Sequence, residues 1–311
     1  MKQPIGNKVT IIGAGMVGST IAYSLVVQDT VDEIALIDLD EDLTRAQVMD
    51  LEHAVPFAGM TTVKVGDYDD CADSAVTVIA CGAAQKPGQT RLDLTARNAA
   101  IIKDILPRIF RANPEAVILM VTNPVDVLTT LAIRLFPEKK DAILGTGTVL
   151  DSARLRHLIG ERLSIDPQSV HAYIVGEHGD SEFPLWSSAA VGNMNLRNCP
   201  SLSEEDKREI FTAAKNAAYA IIAGKQATYY AIGSGAAAVL KAILRDKRTV
   251  LPVSHLLEGE YGISGVSLSM PAVVGRGGVC GRLRPDLTPE ERKALSASAQ
   301  VIRRATDEIG M

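Results

Sequence analysis

The chain has 311 residues, of which 47% are hydrophobic and 22% charged, and its formal net charge at pH 7 is -5. This balance is that of an ordinary soluble globular protein with a large core. The acidic net charge argues against nucleic acid as the main partner, because binding to phosphate usually requires a basic surface. No stretch approaches about 18 consecutive apolar residues, so we expect no membrane span and no membrane partner.

The cysteines and the N-terminal segment bear on the compartment. No two of Cys71, Cys81, Cys199 and Cys280 have CxxC spacing, and none stands beside a close pair of histidines. Neither a zinc site nor a secreted disulfide framework is therefore expected. The first apolar run, residues 9–12, is too short for the core of a signal peptide. We expect a cytoplasmic protein without a metal site.

Short apolar runs alternate with helical patterns through the first half of the chain. These runs are rich in Val and Ile and cover residues 9–12, 34–37, 76–80 and 117–121. Such runs are typical of strands that are buried on both faces of a parallel sheet. Residues 17–28 and 98–112, which lie between them, have the pattern of helices. The alternation predicts an α/β fold with a Rossmann-type, doubly wound parallel sheet.

The second half has a different pattern, which predicts a mixed α+β domain. Residues 171–175 are expected to form a strand, and residues 205–246 a long Ala-rich helix with a break near Gly224. Short glycine-rich strands are expected between residues 250 and 274. The last helix is expected to begin after Thr288, because a capping Thr, a proline and a Glu three residues after the cap mark a helix start.

A GxGxxG motif at Gly13, Gly15 and Gly18 follows the first predicted strand and opens a helix. Asp38 ends the second predicted strand, 20 residues after Gly18. In this context the helix N-terminus is expected to bind a pyrophosphate and the acid a ribose. The Asp38 carboxylate would repel a 2′-phosphate, which favours NAD over NADP. A plain βαβ turn and an FAD site are the alternatives.

Three polar residues in the second half suit acid–base chemistry on a carboxylate-bearing substrate. His178 lies between Gly176 and Gly179 at the end of a predicted strand, and histidine exchanges protons near neutral pH. Asp151 and Arg154 are three residues apart on a predicted helix and therefore share a face. One interpretation is a local ion pair. The other is that Asp151 orients the histidine while Arg154 binds a carboxylate through two parallel hydrogen bonds.

Two loops follow strands of the predicted parallel sheet, at the edge where ligands of such sheets bind. Residues 82–93 combine Gly, Pro and polar side chains, as in a mobile lid or an ordinary solvated loop. Asn123 offers a donor and an acceptor after the strand at 117–121, or is simply a turn residue before Pro124.

Taken together, six motifs resemble those of the lactate/malate dehydrogenase family, from about residue 8 to the C-terminus. They are GAGMVG, AQKPGQTRLDL, TNPVDV, LDSARLR, GEHGDS and ATYYAIG, in that order. The resemblance implies an NAD-dependent oxidoreductase that acts on a 2-hydroxy acid. It implies an NAD-binding domain at residues 1–145 and a substrate-binding, catalytic domain at residues 146–311.

The resemblance also implies roles for individual residues. His178 is the expected proton donor and acceptor, Asp151 its carboxylate partner, and Arg91 the cation that polarises the reacting carbonyl. The substrate-binding positions that it implies are Gln85, Arg91, Asn123, Asp126, Asp151, Arg154 and Thr228. The cofactor-binding positions that it implies are Gly13, Gly15, Met16, Val17, Gly18, Asp38, Tyr68, Gly82, Ala83, Val121, Asn123 and Thr146.

Gln85 stands at the position that separates the two branches of the family, which carry Gln for lactate and Arg for malate. A second substrate carboxylate in a closed site would be poorly compensated beside a neutral Gln. Lys86 is adjacent, so charge alone leaves malate open, and the family pattern favours reversible reduction of pyruvate to L-lactate. Malate or larger 2-hydroxy acids, and a non-catalytic NAD-binding protein, are the alternatives.

Regulation and assembly are also implied by the resemblance. Arg156 and His171 match positions that bind fructose 1,6-bisphosphate in many bacterial members. Arg156 is two residues from Arg154 and therefore points to nearly the opposite helix face. The alternative is that both are ordinary surface or interface residues. A homotetramer is expected, with a dimer as the alternative.

Overall fold

The computed structural model describes residues 7–83 and 91–310, and within them the chain is built from eight α-helices and fourteen strands. The helices are α1 Met16–Val27, α2 Glu41–Ala54, α3 Arg91–Ala112, α4 Val125–Leu135, α5 Val149–Leu163, α6 Glu204–Lys225, α7 Tyr230–Leu244 and α8 Pro289–Glu308. None of these described helices is both long and apolar enough to cross a membrane.

The strands of the first half are β1 Lys8–Ile12, β2 Glu33–Ile37, β3 Thr62–Val65, β4 Val76–Ile79, β5 Val117–Met120 and β6 Ile143–Gly145. They pair in parallel in the order β6-β5-β4-β1-β2-β3. The strands of the second half are β7 Val170–His171, β8 Ile174–Val175, β9 Phe183–Pro184, β10 Ala190–Val191, β11 Met194–Asn195, β12 Thr249–Glu258, β13 Ser264–Gly275 and β14 Gly278–Arg282.

Helices cover both faces of the parallel sheet. On one face, Ile21 of α1 and Leu240 of α7 join a core cluster with alternate strand residues such as Ile11. On the other face, Ile102 of α3 and Leu131 of α4 pack with the remaining strand residues. Because both faces are buried, the strands lack polar alternation. The predicted doubly wound α/β fold is confirmed.

The second half extends the same sheet with antiparallel strands. β12 pairs with β6, where Ser254 lies opposite Gly145, and β13 and β14 continue the sheet beyond it. The prediction of short strands between residues 250 and 274 was wrong in length, since β12 and β13 form one long hairpin. The prediction of a single strand at residues 171–175 was also wrong, because this segment forms two short strands: β7 pairs with β10 and β8 pairs with β9.

Helix ends agree well with local sequence signals. The Thr288 hydroxyl accepts a hydrogen bond from the Glu291 N–H, and the Glu291 carboxylate accepts one from the Thr288 N–H. This capping box begins α8 where the sequence predicts it. The Ala-rich stretch breaks between α6 and α7, where Gln226 has a left-handed conformation. Helix α3 begins at Arg91 rather than near residue 98, so the predicted lid runs into a helix.

Candidate active site

The three glycines of the GxGxxG loop differ in the space that a side chain would have at each position. Gly13 has φ +114°, and a Cβ there would lie 2.6 Å from the main-chain N of Cys81. A Cβ on Gly18 would lie 1.8 Å from the carbonyl oxygen of Gly13, so α1 can pack closely against the loop only without a side chain. A Cβ on Gly15 would meet nothing within 4 Å. The space above Gly15 is therefore open for a ligand to approach the backbone.

Asp38 closes this loop from the end of β2. Its Oδ2 accepts a 2.7 Å hydrogen bond from the main-chain N–H of Ala14. Helix α1 begins directly after Gly15, with no side-chain cap and no acidic residue in its first turn. Its first N–H groups are thus available to an anion, which the helix dipole also favours. Open backbone, free N–H groups and a carboxylate beside them fit the pyrophosphate and ribose of a dinucleotide.

The ends of β4 and β5 are tied together beside this loop. Asn98 of α3 accepts a 2.8 Å hydrogen bond from the Ala83 N–H and donates one of 2.8 Å to the carbonyl of Asn123. The Thr122 hydroxyl donates to the carbonyl of Cys81 at 2.6 Å. Asn98 is only 3% exposed and was not predicted from the sequence. Its contacts show that it shapes the edge on which several predicted cofactor residues lie.

The other positions predicted to bind the cofactor lie on or near the carboxyl edge of the parallel strands. Gly82 and Ala83 follow β4, Val121 and Asn123 follow β5, and Thr146 follows β6. Met16 and Val17 begin α1, and Met16 is 60% exposed. Tyr68 follows β3 and is half-buried, with the Arg108 guanidinium 5.3 Å from its ring centre. The sheet therefore gathers residues that are far apart in sequence along one edge.

Asp151 holds both His178 and Arg154. Its Oδ2 lies 2.6 Å from Nδ1 of His178, and its Oδ1 accepts a 2.9 Å hydrogen bond from Nη1 of Arg154. The Asp151 side chain is only 3% exposed, whereas that of His178 is 27% exposed. A carboxylate can only accept from Nδ1–H here, so the second ring nitrogen of His178 is left for another partner.

The electrostatics keep this histidine charged. Burial alone would lower the pKa of His178, but the charge and hydrogen bond of Asp151 overcome that effect and raise the pKa to about 9. Burial opposes ionisation of Asp151, but the charge and hydrogen bond of His178 together with the charge of Arg154 outweigh it, so the pKa of Asp151 lies below its ordinary value. The pair is therefore an imidazolium beside a carboxylate at neutral pH.

Hydrogen bonds hold the loop that carries His178 at the histidine backbone and at Ser181. The His178 N–H donates a 2.7 Å hydrogen bond to Oδ2 of Asp126, which lies on α4. Ser181 donates from its N–H and its hydroxyl to the Glu177 carboxylate. Ser298 of α8 donates to the carbonyl of Ser181 at 2.7 Å. Helices from two parts of the chain thus fix the histidine loop.

A cleft of about 980 Å³ opens in front of His178. Of the predicted substrate residues, it contains Asn123, Asp126, Asp151 and Arg154. The cleft also contains residues that sequence reasoning missed, notably Glu182, Lys215 of α6 and the apolar Ile302 of α8. Their side chains carry charge or apolar surface, but nothing in their local sequence marks them as ligand contacts.

Three predicted residues are not brought into this cleft by the described structure. Thr228 lies in the loop between α6 and α7 and is not among the described residues that line it. Gln85 and the neighbouring Lys86 lie outside the described residues, as does the side chain of Arg91. Residues 84–90 of the predicted lid also lie outside them.

Comparisons with known proteins agree with this arrangement over almost the whole chain. Residues 7–145 match the family profile described as lactate/malate dehydrogenase, NAD binding domain. Residues 148–310 match the profile described as lactate/malate dehydrogenase, alpha/beta C-terminal domain. The chain belongs to the lactate/malate dehydrogenase family. Because the first profile describes an NAD-binding domain, the cofactor of this family member is NAD, as predicted.

Relatives and solved structures of the family cover nearly the full length. The chain is 46% identical to L-lactate dehydrogenase from Thermus aquaticus over an alignment of 308 residues. The alignment covers 97% of this chain and 99% of the Thermus aquaticus protein. The chain is 45% identical to L-lactate dehydrogenase from Synechococcus sp. strain JA-3-3Ab, with the same coverage. A crystal structure of a lactate dehydrogenase from a Medee basin deep-sea metagenome library superposes with a TM-score of 0.95, at 38% identity, over 98% of this chain and 99% of that one.

The two positions predicted to bind an allosteric bisphosphate lie away from the cleft of this family member. Arg156 of α5 donates from Nε to the carbonyl of Ser152 at 3.2 Å and does not line the cleft, unlike Arg154. His171 lies on β7, is exposed, and pairs with Ala190. Helix α5 packs against β7, so both residues belong to the same layer of the second half.

Proposed function

We propose that the protein catalyses the reversible, NADH-dependent reduction of pyruvate to L-lactate. The observation that carries this proposal is the arrangement of one buried carboxylate, Asp151, between an imidazole and a guanidinium that both face the same cleft. A 2-oxo acid needs a proton donor at its ketone oxygen and a cation at its carboxylate. His178 and Arg154 supply these two groups side by side.

In the proposed reaction His178 donates its proton to the ketone oxygen as this becomes a hydroxyl. Asp151 holds Nδ1, so the transferable proton is on Nε2, and Asp151 stabilises the imidazolium beforehand. NADH, when bound, supplies the hydride to the carbonyl carbon. Lactate oxidation reverses these roles and requires neutral His178. Since the pKa of His178 is raised to about 9, we expect pyruvate reduction to decline only at alkaline pH.

The remaining residues orient the substrate and hold the cofactor. Arg154 uses one Nη on Asp151, which leaves its other N–H groups for the substrate carboxylate. We assign polarisation of the carbonyl to Arg91 and pocket contacts to Asn123 and Thr228 on the family resemblance. Gly15 and the N-terminus of α1 would hold the pyrophosphate, and Asp38 the adenine-side ribose.

Gln85 is proposed to set the choice between pyruvate and oxaloacetate. NADH oxidation with each substrate at equal concentration tests the function, with Gln85→Arg as the diagnostic variant and Gln89→Arg as its neighbour control. We expect a strong preference for pyruvate, and a shift toward oxaloacetate in Gln85→Arg alone, since the added cation would pair with the second carboxylate. A parent protein that prefers oxaloacetate or a larger 2-oxo acid would overturn the substrate assignment. No turnover with any 2-oxo acid would favour a binding protein.

Activation by fructose 1,6-bisphosphate is proposed for Arg156 and His171. A guanidinium and an exposed imidazole outside the cleft suit a bisphosphate, which would act through α5 on Asp151 and Arg154. Titration of the bisphosphate at low pyruvate should raise the rate in the parent and less in Arg156→Gln and His171→Gln. His157→Gln, an exposed histidine beside Arg156, is the matched control. An equal rise in all four proteins would remove these residues from the proposal.

Assembly, compartment and domain division are also proposed. We propose a cytoplasmic homotetramer, which light scattering of the purified protein would test against a dimer. We propose a functional division between residues 145 and 146. It is supported by the matched profiles, which end at residue 145 and resume at residue 148.

A further inference from the structure

Glu182 is a buried acid in the cleft that the proposed reaction does not use. It lies four residues after His178 and is only 6% exposed, yet it lines the cleft. A carboxylate oxygen of Glu182, a carboxylate oxygen of Asp151 and a ring nitrogen of His178 all lie within 4.8 Å of one another. Among the described residues, no hydrogen bond or ion pair binds the Glu182 carboxylate.

The charges around Glu182 come from several elements. From α5, Asp151 opposes ionisation of Glu182, whereas Arg154 favours it. From the histidine loop, His178 favours ionisation, and so does Lys215 of α6, which is held by its hydrogen bond to the carbonyl of Asp180. Four further carboxylates line the same cleft: Asp126 of α4, Glu177 and Asp180 of the loop, and the exposed Glu308 of α8.

Burial, followed by the negative charge of Asp151, raises the pKa of Glu182 to about 8. Glu182 is therefore neutral in acid and ionises as the solution becomes alkaline. This is the range in which His178 would otherwise begin to lose its proton. Opposite charges within 4.8 Å stabilise each other, and the low exposure of Glu182 limits screening of this interaction by solvent. An ionised Glu182 therefore makes the loss of the His178 proton less favourable.

We propose that Glu182 is a positioning residue for the transferable proton, since its carboxylate, when ionised, holds that proton on His178 and extends pyruvate reduction to more alkaline pH. This inference rests on the proposed function, because it assumes that protonated His178 is the reactive form. It assigns Glu182 no contact with the substrate. Its role is to add a second negative charge beside His178. This charge appears only as the solution becomes alkaline, whereas Asp151 is ionised throughout.

The first test compares pH profiles of kcat/KM in Glu182→Gln, Glu182→Asp and the parent. Gln reproduces the neutral form of Glu182 at every pH. We expect the alkaline midpoint of pyruvate reduction to move to lower pH by roughly one unit in Glu182→Gln. In Glu182→Asp it should move by less, because the charge is kept at a shorter reach. The rise of lactate oxidation with pH should shift in the same direction by the same amount, since that direction needs neutral His178.

Glu209→Gln is the matched control, because Glu209 lies on α6, is 59% exposed and faces Arg162 rather than the cleft. Its alkaline midpoint should equal that of the parent. Unchanged midpoints in both Glu182 variants would overturn the inference. A loss in Glu182→Gln that is equal at every pH would also overturn it, since that result indicates a purely structural role.

The second test measures the His178 proton without turnover. The chain has five histidines, so NMR titration of the protein labelled at histidine can resolve them, with His178→Asn identifying the signal. The pKa of His178 should fall in Glu182→Gln and fall less in Glu182→Asp. If Glu182→Gln does not fold, the Asp variant carries this test, and an unchanged pKa in it overturns the inference. A parent that reduces no 2-oxo acid would overturn the proposed function while this titration still decides the role of Glu182.

Discussion

The main-chain N–H of His178 donates a 2.7 Å hydrogen bond to Oδ2 of Asp126, although the two residues are 52 positions apart in sequence. Asp126 is 2% exposed, and among the described residues its Oδ1 has no hydrogen-bond partner. Burial raises the pKa of Asp126 to about 6. Helix α4 therefore places a poorly solvated charge directly beneath the histidine loop. Asp126 thus both lines the cleft and contacts the backbone of the histidine loop.

Asp126→Asn should raise stability and lower activity. The folded protein binds a proton at Asp126 more tightly than the ordinary carboxyl pKa of 3.8, so the stability from this site is present in acid and is lost as pH rises from about 4 to 6. Asn keeps the acceptor for His178 but cannot ionise. At pH 7 the free energy of unfolding should rise by about 2 kcal/mol. The value of kcat/KM should fall at alkaline pH, because a charge that favours protonated His178 is lost.

Urea unfolding at about pH 4 and pH 7, together with steady-state kinetics, checks the Asp126 prediction. The gain in stability should be present at the higher pH and nearly absent at the lower one. A variant that is equally destabilised at both pH values would show that Oδ1 has a partner that the charge argument neglects.

Gly15 and Gly18 should respond to alanine in opposite ways. A Cβ on Gly18 would overlap the carbonyl oxygen of Gly13, so Gly18→Ala should cost about 2–4 kcal/mol of stability or prevent folding. Gly15 has φ -67° and open space around it, so Gly15→Ala should keep the parent melting temperature. It should nevertheless weaken NADH binding about tenfold or more, because the methyl group would occupy the path of the pyrophosphate.

Thermal unfolding without cofactor and fluorescence titration with NADH separate these two effects. The decisive comparison is Gly15→Ala, which serves as the stability control for Gly18→Ala. If Gly15→Ala binds NADH as well as the parent, the dinucleotide does not approach the backbone at this position.

Much of the fold was predictable because its signals are local. Runs of buried Val and Ile, the glycine loop and the capping box at Thr288 each depend on a few adjacent residues. The predictions that failed concern features that depend on the position of a segment in the sheet and on its pairing partners. Strand β3 was missed because Thr62 and Lys64 alternate with valines at a sheet edge. Residues 171–175 looked like one strand, but backbone pairing at each end is with a different partner.

The candidate site was predictable where the residues of a motif contact one another in the fold. Asp151, Arg154 and His178 meet as the sequence suggests, since helix spacing brings the first two together. Asn98 and Glu182 could not be found in this way. Their roles depend on which strand ends and loops the tertiary fold brings beside them, and neither spacing nor residue type reveals that.

Ser298 should stabilise the histidine loop from α8. Its hydroxyl is fully buried, donates to the Ser181 carbonyl at 2.7 Å and lies 3.0 Å from the Ser181 hydroxyl. Ser298→Ala should lower the free energy of unfolding by about 1–2 kcal/mol, because the half-buried Ser181 carbonyl loses its hydrogen-bond donor. It should also lower kcat/KM by a few-fold, since the loop that carries His178 loosens.

Ser296→Ala is the control for Ser298→Ala, because Ser296 lies on the same helix but is exposed. It should change stability by less than about 0.5 kcal/mol and leave kcat/KM unaltered. Chemical unfolding and steady-state kinetics measure both variants. Equal behaviour of the two would mean that the hydroxyl of Ser298 contributes nothing specific to the loop.

His255 should make the protein sensitive to acid. It is 1% exposed on β12, and its Nδ1 lies 3.0 Å from the carbonyl of Val253, to which only a protonated ring nitrogen can donate. Burial lowers the pKa of His255 from 6.5 to about 4, against the hydrogen bond to Val253, and the charge of Arg282 adds to the lowering. The folded state therefore binds this proton less tightly than the unfolded state. Stability from the site is complete above about pH 6.5 and is lost as pH falls toward 4.

His255→Gln cannot take up this proton but keeps an N–H that can donate to Val253. Its unfolding free energy should therefore fall less than that of the parent between pH 6.5 and pH 4, by up to about 3 kcal/mol. Denaturant unfolding across this range measures the difference, and His53→Gln, an exposed histidine on α2, should follow the parent. Parallel curves for the parent and His255→Gln would mean that His255 accepts its proton without opening the sheet. The acid sensitivity would then have to come from carboxylates such as Asp70, whose ion pairs with Lys8 and Lys64 lower its pKa to about 2 against the effect of burial.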